Sequence, residues 1–390
     1  AIVYSNAVSD TNPEIVRAKE RRIPIFSRAE VLGMLMNNYK HSVAVCGTHG
    51  KTTVTSMTSL MLRDAKYKPT ILVGGNVDEI KGNVEIGDTN YFVTEACEYM
   101  DSFLHLTPTI GVLLNIDSDH LDYFKDMDHI VKSFKAFVSN IPRKGIIIAF
   151  GENPFVKEAL RGLNNVITYG YTDSNDFYAE NISFDDGGFP EYDICHEGKV
   201  LCHLHLGVPG EHNVLNSMAA YVTARYLGVG DDVIAGTLKH FKGTHRRFDF
   251  TGVTKNGVKI VDDYAHHPTE IKATLSAASK VKHNKLRVVF QPHTYTRTKA
   301  LFEEFVDSFD HVDSLIITDI YAAREKDVYG VSSYQLVNAI KAEYPDREVY
   351  YVQDFEDIVK YLAANAEKDD IVMTMGAGDV YKIGQMMLKS

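Results

Sequence analysis

The run Gly47-Thr48-His49-Gly50-Lys51-Thr52-Thr53 has the residue types needed to hold the phosphates of a nucleotide. Its glycines let successive backbone N–H groups turn around an anion. A helix N-terminus after it adds partial positive charge, and Lys51 adds a full one. Thr52 is placed to offer its hydroxyl to Mg²⁺. The run departs from the strict phosphate-loop spacing, because Val45 stands where the first glycine belongs. Gly-rich strand-to-helix turns also occur in α/β proteins that bind no nucleotide, but Gly-Lys-Thr-Thr in this position favours phosphate.

Phosphate chemistry calls for metal and further cations. Glu95 ends one apolar run, and Asn115 followed by Asp117-Ser118-Asp119-His120 ends another. Carboxylates and an imidazole converging on one crevice can hold one or two Mg²⁺ between phosphate oxygens. The plain alternative for any one of these acids is a solvated loop residue. Gly243-Thr244-His245-Arg246-Arg247-Phe248-Asp249 carries paired arginines that clamp phosphates on domain closure, or else form a surface salt bridge. In Asp262-Asp263-Tyr264-Ala265-His266-His267-Pro268 an aspartate can take a ribose hydroxyl, and the tyrosine and histidine can line a small polar pocket. Phe290-Gln291-Pro292-His293-Thr294-Tyr295-Thr296-Arg297-Thr298 repeats the placement one strand later, and Arg297 suits a carboxylate held by two hydrogen bonds. Gly376-Ala377-Gly378-Asp379 is either a source of backbone donors or a plain tight turn. Cys195, His196, Cys202, His203 and His205 lack the spacing of a zinc site, and a two-residue strand period puts Cys202 on the face opposite His203 and His205. Cys97 has no evident base beside it and is given no nucleophilic role.

These residues need strand ends to hold them, and the chain supplies a βα rhythm. Short apolar runs at 43–46, 92–96, 111–116 and 146–150 read as buried parallel strands, and a helix is expected from about 51 to 65. Residues 192–196 and 200–206 read as a hairpin, followed by a helix over 213–227. The rhythm restarts after about 248, with strands at 258–261, 286–290, 315–318, 349–352 and 371–374 and helices from Pro268 and over about 296–309. The expected class is therefore α/β, with a boundary near 243–250. A length of 390 residues supports two or three domains. Hydrophobic residues at 45% and charged residues at 24% exclude a disordered or collagen-like chain. The apolar runs fall well short of the roughly 20 residues of a membrane span. A net charge of −11 argues against a general nucleic-acid binder, and four cysteines are too few for a disulfide scaffold, which fits a reducing, cytoplasmic setting. The oligomeric state is left between monomer and homodimer.

Taken together and in this order, the motifs resemble the Mur ligase family. The carrying segments are 47–53, Glu95-Ala96-Cys97-Glu98 with Ser102-Phe103-Leu104-His105-Leu106, Asn115-Ile116 with Asp119-His120, Pro209-Gly210 with His212-Asn213, and Arg246-Arg247-Phe248-Asp249. Segments 262–268 and 290–298 complete them. The resemblance implies a cytoplasmic enzyme of peptidoglycan synthesis with a central P-loop ATPase domain at 41–247 and a Rossmann-like, amino-acid-binding domain at 248–390. ATP phosphorylates the lactyl carboxylate of UDP-N-acetylmuramate, and the amine of L-alanine attacks the acyl phosphate. By resemblance, Gly47, Thr48, His49, Gly50, Lys51, Thr52 and Thr53 hold phosphates, Thr52 and Glu95 hold one Mg²⁺, and His120 helps hold a second. His212, Asn213 and Asn216 match the adenine side, Arg247 contacts phosphate, and Asp263 takes the ribose. Lys51, Glu95, His120 and Arg247 form the catalytic set, and Tyr264, His266, His293 and Arg297 the L-alanine pocket.

The chain departs from the family at Thr294, where many members carry Arg. No carbamylated lysine is identifiable, with Lys132 and Lys135 only nearby candidates. The family's N-terminal domain opens with a Gly-rich uridine-diphosphate loop. Here 1–40, with Ser5-Asn6-Ala7-Val8 and Asn12-Pro13-Glu14, resembles only the end of that domain, so most of it is expected to be missing. A murein-tripeptide ligase of the same family, an ATP-binding fragment without the uridine site, and a P-loop ATPase that turns over without substrate are the alternatives. The segment 101–106 favours the L-alanine reading over the tripeptide one, and the amino-acid pocket argues against the bare ATPase.

Overall fold

A computed structural model describes residues 1–5, 8–121 and 123–389. Asn6 and Ala7 of the N-terminal motif lie outside the described residues. The first 40 residues form a parallel pair of strands, Ile2–Tyr4 and Ile25–Ser27, with helices Pro13–Glu20 and Arg28–Met36. Asn12 starts the first of these helices by accepting from the Glu14 N–H at 2.9 Å, with Pro13 in the first turn.

Ten strands make the central sheet, in the spatial order Lys199–His205, Pro190–His196, Phe177–Phe184, Val166–Gly170, Ile146–Phe150, Ile110–Leu113, His41–Cys46, Tyr91–Glu95, Thr70–Val77 and Gly82–Glu85. The middle of this sheet is parallel, and antiparallel pairs close both ends. Side chains alternate as a pleat requires. Val43, Val45 and Val93 face Met57 and Met61 of helix Lys51–Asp64, whereas Ala44, Cys46 and Phe92 face Phe134 and Phe137 of helix Met127–Ser139. Because both faces are covered, the strands carry continuous apolar runs. The expected hairpin is present, and it belongs to a three-stranded antiparallel ribbon that begins with Phe177–Phe184. Within it Asp193 pairs with His203 and Ile194 with Cys202, so neighbouring strand residues point to opposite faces.

The second sheet has six strands, ordered Asp249–Val253, Lys259–Asp263, Ile371–Met375, Leu286–Phe290, Ser314–Ile317 and Glu348–Tyr351. Only the first of these runs antiparallel to its neighbour. The helix expected over 296–309 is broken. Tyr295–Ala300 and Phe302–Val306 are separate, because Leu301 leaves helical geometry at φ −113°, ψ 28°. That kink lets Leu301, Phe305 and Phe309 all stay buried against the sheet. In both sheets the carboxyl ends of the parallel strands carry the chemistry-bearing segments, the usual place for ligands in open α/β folds.

One buried ion pair fastens the opposite end of the second sheet. The Arg287 Nε donates to Asp370 Oδ2 at 2.8 Å, and the Asp370 carboxylate also accepts from Asn284, Lys285 and Glu367. Arg287 and Asp370 are both almost inaccessible. Removing one partner leaves an uncompensated buried charge, which costs about 3–5 kcal/mol. Asp370→Ala is expected to lower the C-terminal domain's unfolding free energy, extrapolated from urea titration, by that amount while leaving the central-domain transition in place.

Candidate active site

The strand His41–Cys46 ends in Gly47, whose φ of 143° suits glycine. A Cβ there would sit 2.9 Å from the Leu114 side chain. Gly50, at φ 85°, opens the helix Lys51–Asp64, and a Cβ on it would lie 2.5 Å from Asn216 Oδ1. The loop between them is tied to the next strand end. Asn115 Oδ1 accepts from the His49 N–H at 2.8 Å, and Asn115 Nδ2 donates to the His49 carbonyl at 3.0 Å. The Asp117 N–H donates to Thr48 Oγ1 at 2.9 Å. Lys51 Nζ donates to the carbonyls of Gly47 and Thr48 and to Glu98 Oε1 at 2.9 Å. Burial works against the Lys51 charge, but Glu98, with Cys97 and Glu95, outweighs it and holds the ammonium well above the ordinary lysine range.

Glu98 lies within the segment Glu95-Ala96-Cys97-Glu98 but carries no role in the sequence pattern. It is almost fully buried, one oxygen serves Lys51, and Oε2 has no partner among the described residues. His120 Nε2 lies 3.9 Å from Glu98 Oε1 and 3.8 Å from Asp119 Oδ2, and its ring leans on Tyr99 at 4.7 Å. His120 itself sits at φ 53°, a strained conformation for a residue with a side chain. Glu95 Oε1 accepts from the Gly74 N–H at 2.6 Å, and a Cβ on Gly74 would collide with that carboxylate. The neighbouring Gly75 lies against Thr52. The hydroxyl of Thr52 and the Glu95 carboxylate are an oxygen set of the kind Mg²⁺ takes, and the Glu98 carboxylate, with its orphaned Oε2, and His120 are donors of the kind a second cation takes.

A cavity of about 400 Å³ lies beside the loop. Its wall includes His49, Thr52, Asn216, Arg247, Asp263 and His212. Asn213 anchors the helix His212–Tyr226 through Pro209 and accepts from Asn216 Nδ2 at 2.9 Å, which brings Asn216 to the loop. Burial, reinforced by Arg247, pushes His212 down to about 4, so it is a neutral ring, and its buried Nδ1 has no partner among the described residues. Burial lifts Asp263 to about 6 against the pull of Arg247, and its oxygens accept from the Phe248 and Ala265 N–H groups, each at 2.7 Å. The two arginines part company. Arg247 lines the cavity, whereas Arg246 donates to Asp262 at 2.8 Å and to the carbonyls of Gly376 and Gly378. A paired phosphate clamp is thus corrected to a single arginine. The 376–379 turn is a tight turn whose carbonyls Arg246 uses and whose Asp379 and Val380 N–H groups donate to Gln291.

A second cavity, of about 860 Å³, is lined by Asp119, His120, His293, Thr294, Arg297 and Tyr321, among others. Arg297 grips a carboxylate from across the domains. Its Nε and Nη2 donate to Asp119 Oδ1 at 3.1 and 2.9 Å, and its Nη1 donates to His293 Nδ1 at 3.2 Å. Burial opposes the Asp119 charge, but Arg297 and the histidines around it hold the carboxyl well below the usual range. Burial and Arg297 bring His293 down to about 4, and burial takes His266 to about 3, so both rings are neutral. His266 packs edge-on to His293 at 5.7 Å, and Tyr264 lies under both Arg246 and Arg247. Neither Tyr264 nor His266 is among the residues lining the two cavities; they back the pocket wall. Thr294 stands at φ 65°, unusual for a β-branched residue, and opens the helix Tyr295–Ala300. Lys132 and Lys135 are exposed on the helix Met127–Ser139. Its buried Ser133 is the residue that turns inward, to Asp101, which also accepts from Tyr123 OH at 2.6 Å.

Comparison with known proteins follows the same lines. Residues 45–224 match the Mur ligase middle domain, 246–378 the Mur ligase glutamate ligase domain, and 1–40 the Mur ligase family catalytic domain. The expected near-absence of an N-terminal domain is not borne out by this last match. A UDP-N-acetylmuramate–L-alanine ligase of Alkaliphilus metalliredigens is 52% identical over 388 residues, 99% of this chain and 84% of that relative. A ligase of the same name from Caldanaerobacter subterraneus is 48% identical over 389 residues, 100% of this chain and 84% of the relative. The crystal structure of UDP-N-acetylmuramate-alanine ligase MurC from Thermotoga maritima superposes with a TM-score of 0.83 at 27% identity, covering 99% of this chain and 84% of that one. With the family's domains matched in sequence order along the chain and relatives about half identical over nearly its whole length, the chain belongs to the Mur ligase family.

Proposed function

We propose that this chain joins L-alanine to the lactyl carboxylate of UDP-N-acetylmuramate in the cytoplasm, using ATP and an acyl phosphate. The observation that carries this reading is the placement of Asp117-Ser118-Asp119-His120. Asp117 lines the cavity beside the phosphate loop, and Asp119 and His120 line the cavity that holds Arg297. One short segment thus joins a phosphate site to a carboxylate-binding site, which is what a ligase needs when it activates one substrate and delivers a second. The relatives that carry this activity in their names support the choice of substrates.

A free carboxylate is a poor electrophile, and transfer of the terminal phosphoryl group of ATP gives it a leaving group. The charge that develops on the transferring group falls near Lys51, whose ammonium is kept protonated and fixed in direction by Glu98 and two loop carbonyls. Arg247 provides a second cation from the domain boundary. Thr52 and Glu95 would hold one Mg²⁺, and Glu98 and His120 a second, supplying charge neutralisation between phosphate oxygens. On the other side Arg297 binds the L-alanine carboxylate, with its side chain aimed by Asp119 and His293. The neutral rings of His266 and His293 leave that arginine's charge uncompeted by further imidazolium.

The direct test is ATP hydrolysis measured with each substrate omitted in turn. Phosphate release is expected only with UDP-N-acetylmuramate and L-alanine together. A marked preference for a murein tripeptide would move the chain to the tripeptide branch. ATP binding with no calorimetric binding of UDP-N-acetylmuramate would leave only a nucleotide-binding unit. Lys51→Ala is expected to lower kcat by at least about 10²-fold. Arg297→Lys loses a two-pronged contact to a carboxylate and is expected to raise the KM for L-alanine by roughly 10- to 100-fold, with a smaller effect on the KM for ATP.

A further inference from the structure

We propose that His49 is a positioning residue that couples the phosphate loop to the C-terminal domain, by bridging Asp117 and Glu270 as an imidazolium. His49 belongs to the loop backbone that is read as a phosphate cradle, yet its side chain turns away to the domain interface. Its Nε2 lies 3.0 Å from Asp117 Oδ2 and its Nδ1 lies 3.2 Å from Glu270 Oε1. Ionised carboxylates only accept hydrogen bonds, so both ring nitrogens must donate, and a ring that donates twice is charged. Glu270 belongs to the first turn of helix Pro268–Lys280 in the second domain, whereas Asp117 follows the strand Ile110–Leu113 of the first. One charged ring thus ties the phosphate loop, the adjoining strand end and the facing domain at a single point.

The surroundings of this ring are polar, close and shared between the domains. Asp117 accepts from Thr269 Oγ1 at 2.8 Å, a second link across the boundary. His267 lies over His49 at 4.9 Å between ring centres. It accepts from the Thr269 N–H at Nδ1 and donates from Nε2 to the Ser118 carbonyl, so it is a neutral tautomer. The other oxygen of Glu270 accepts from the His266 N–H at 3.2 Å and faces His266 Nδ1, and Arg247 adds its charge to the field on Glu270. The titratable groups facing His49 are therefore Asp117, Glu270 and His267, with His266 and Arg247 acting through Glu270. Burial disfavours the charge on His49, but the two carboxylates outweigh it and hold the ring at about 9. Its folded value is raised above the ordinary 6.5, so its contribution to closure is complete below that value and fades as pH rises through about 9.

The consequence concerns closure, and it rests on the nucleotide reading only in taking this loop as the phosphate cradle. When the ring loses its proton, one of the two carboxylates must face a lone pair, and the bridge between domains opens. Small-angle X-ray scattering of the nucleotide-free full chain between pH 7 and 10 reads this directly. The radius of gyration of the wild type is expected to rise as pH passes through about 9. Glu270→Gln keeps the shape and an acceptor but removes one charge, and the rise is expected to move down by about one pH unit or more. His49→Gln is expected to be expanded at pH 7.5 and insensitive to pH. Circular dichroism identifies a misfolded variant, and should His49→Gln not fold, Glu270→Gln carries the test alone. A wild type whose size does not change over this range, or a Glu270→Gln variant whose transition stays at the wild-type pH, overturns the proposal. Because compactness is measured without substrates, that result leaves the ligase reading standing. Loss of L-alanine dependence would conversely leave the bridge standing.

Discussion

A loop that binds phosphate must keep its own N–H groups unspent, and yet a loop with unspent groups is hard to hold still. Here the side-chain amide of Asn115 holds the loop still by taking one of those groups, the His49 N–H, while the Asn115 main-chain carbonyl accepts from the Thr48 N–H. The amide bonds to both the N–H and the carbonyl of His49 and so fixes the loop from behind, through a neighbouring strand end. Thr48 adds a reciprocal tie to the backbone of Asp117. Gly47 is the residue that lets the backbone pass this close to Leu114 and Asn115, and Gly50 lets Asn216 reach over the start of the helix. The geometry of this loop is therefore set by contacts among two strand ends and one helix, all of them fixed by the packed central sheet.

The same logic governs charge. The chain carries 52 acidic and 41 basic residues, yet the proposed ligands of this site are anions. Three of the site's cations are paired with protein carboxylates in advance: Lys51 with Glu98, Arg297 with Asp119, and His49 with Asp117 and Glu270. These carboxylates hold the cations charged and aimed, so little side-chain freedom is lost when a substrate arrives. Local backbone strain accompanies them. Among the residues with side chains and positive φ, His120, Thr294 and Ala323 line one cavity and Phe248 the other, while Arg22, Lys66 and Asp369, among others, lie elsewhere in the chain. The packed sheets on either side hold these conformations in place.

Much of this arrangement was legible in the sequence, for physical reasons. Buried parallel strands are mostly apolar, so Ile146–Phe150 stands out as an unbroken run at its observed bounds, and Leu286–Phe290 is interrupted only by Arg287, whose charge Asp370 takes. Glycine and lysine at a strand-to-helix turn mark the phosphate loop because few other residues tolerate that backbone or supply that charge. What was not legible depends on distance along the chain. Asp119 and Arg297 are 178 positions apart, and His49 and Glu270 are 221 apart, so no local pattern announces either pair. For the same reason the residue pattern alone offers Arg246 and Arg247 as a pair, the resemblance singles out Arg247, and Asp262 with the Gly376 and Gly378 carbonyls claims Arg246. Glu98 was hidden differently. It sits beyond the end of the strand Tyr91–Glu95, and only the fold shows that it turns inward to Lys51. The strand Thr70–Val77 was obscured by Gly74 and Gly75, which are needed so that Glu95 and Thr52 can approach its backbone.

The central claim is that the phosphate side and the carboxylate side of this interface serve one reaction, in which a substrate carboxylate is phosphorylated before the amine attacks. Oxygen transfer tests it most directly. UDP-N-acetylmuramate carrying ¹⁸O in its lactyl carboxylate is turned over with ATP and L-alanine, and the released phosphate is analysed by mass spectrometry. The account predicts one ¹⁸O atom in each phosphate released, because the carboxylate oxygen that accepts the phosphoryl group leaves with it. Phosphate free of ¹⁸O, formed alongside amide product, would contradict the account.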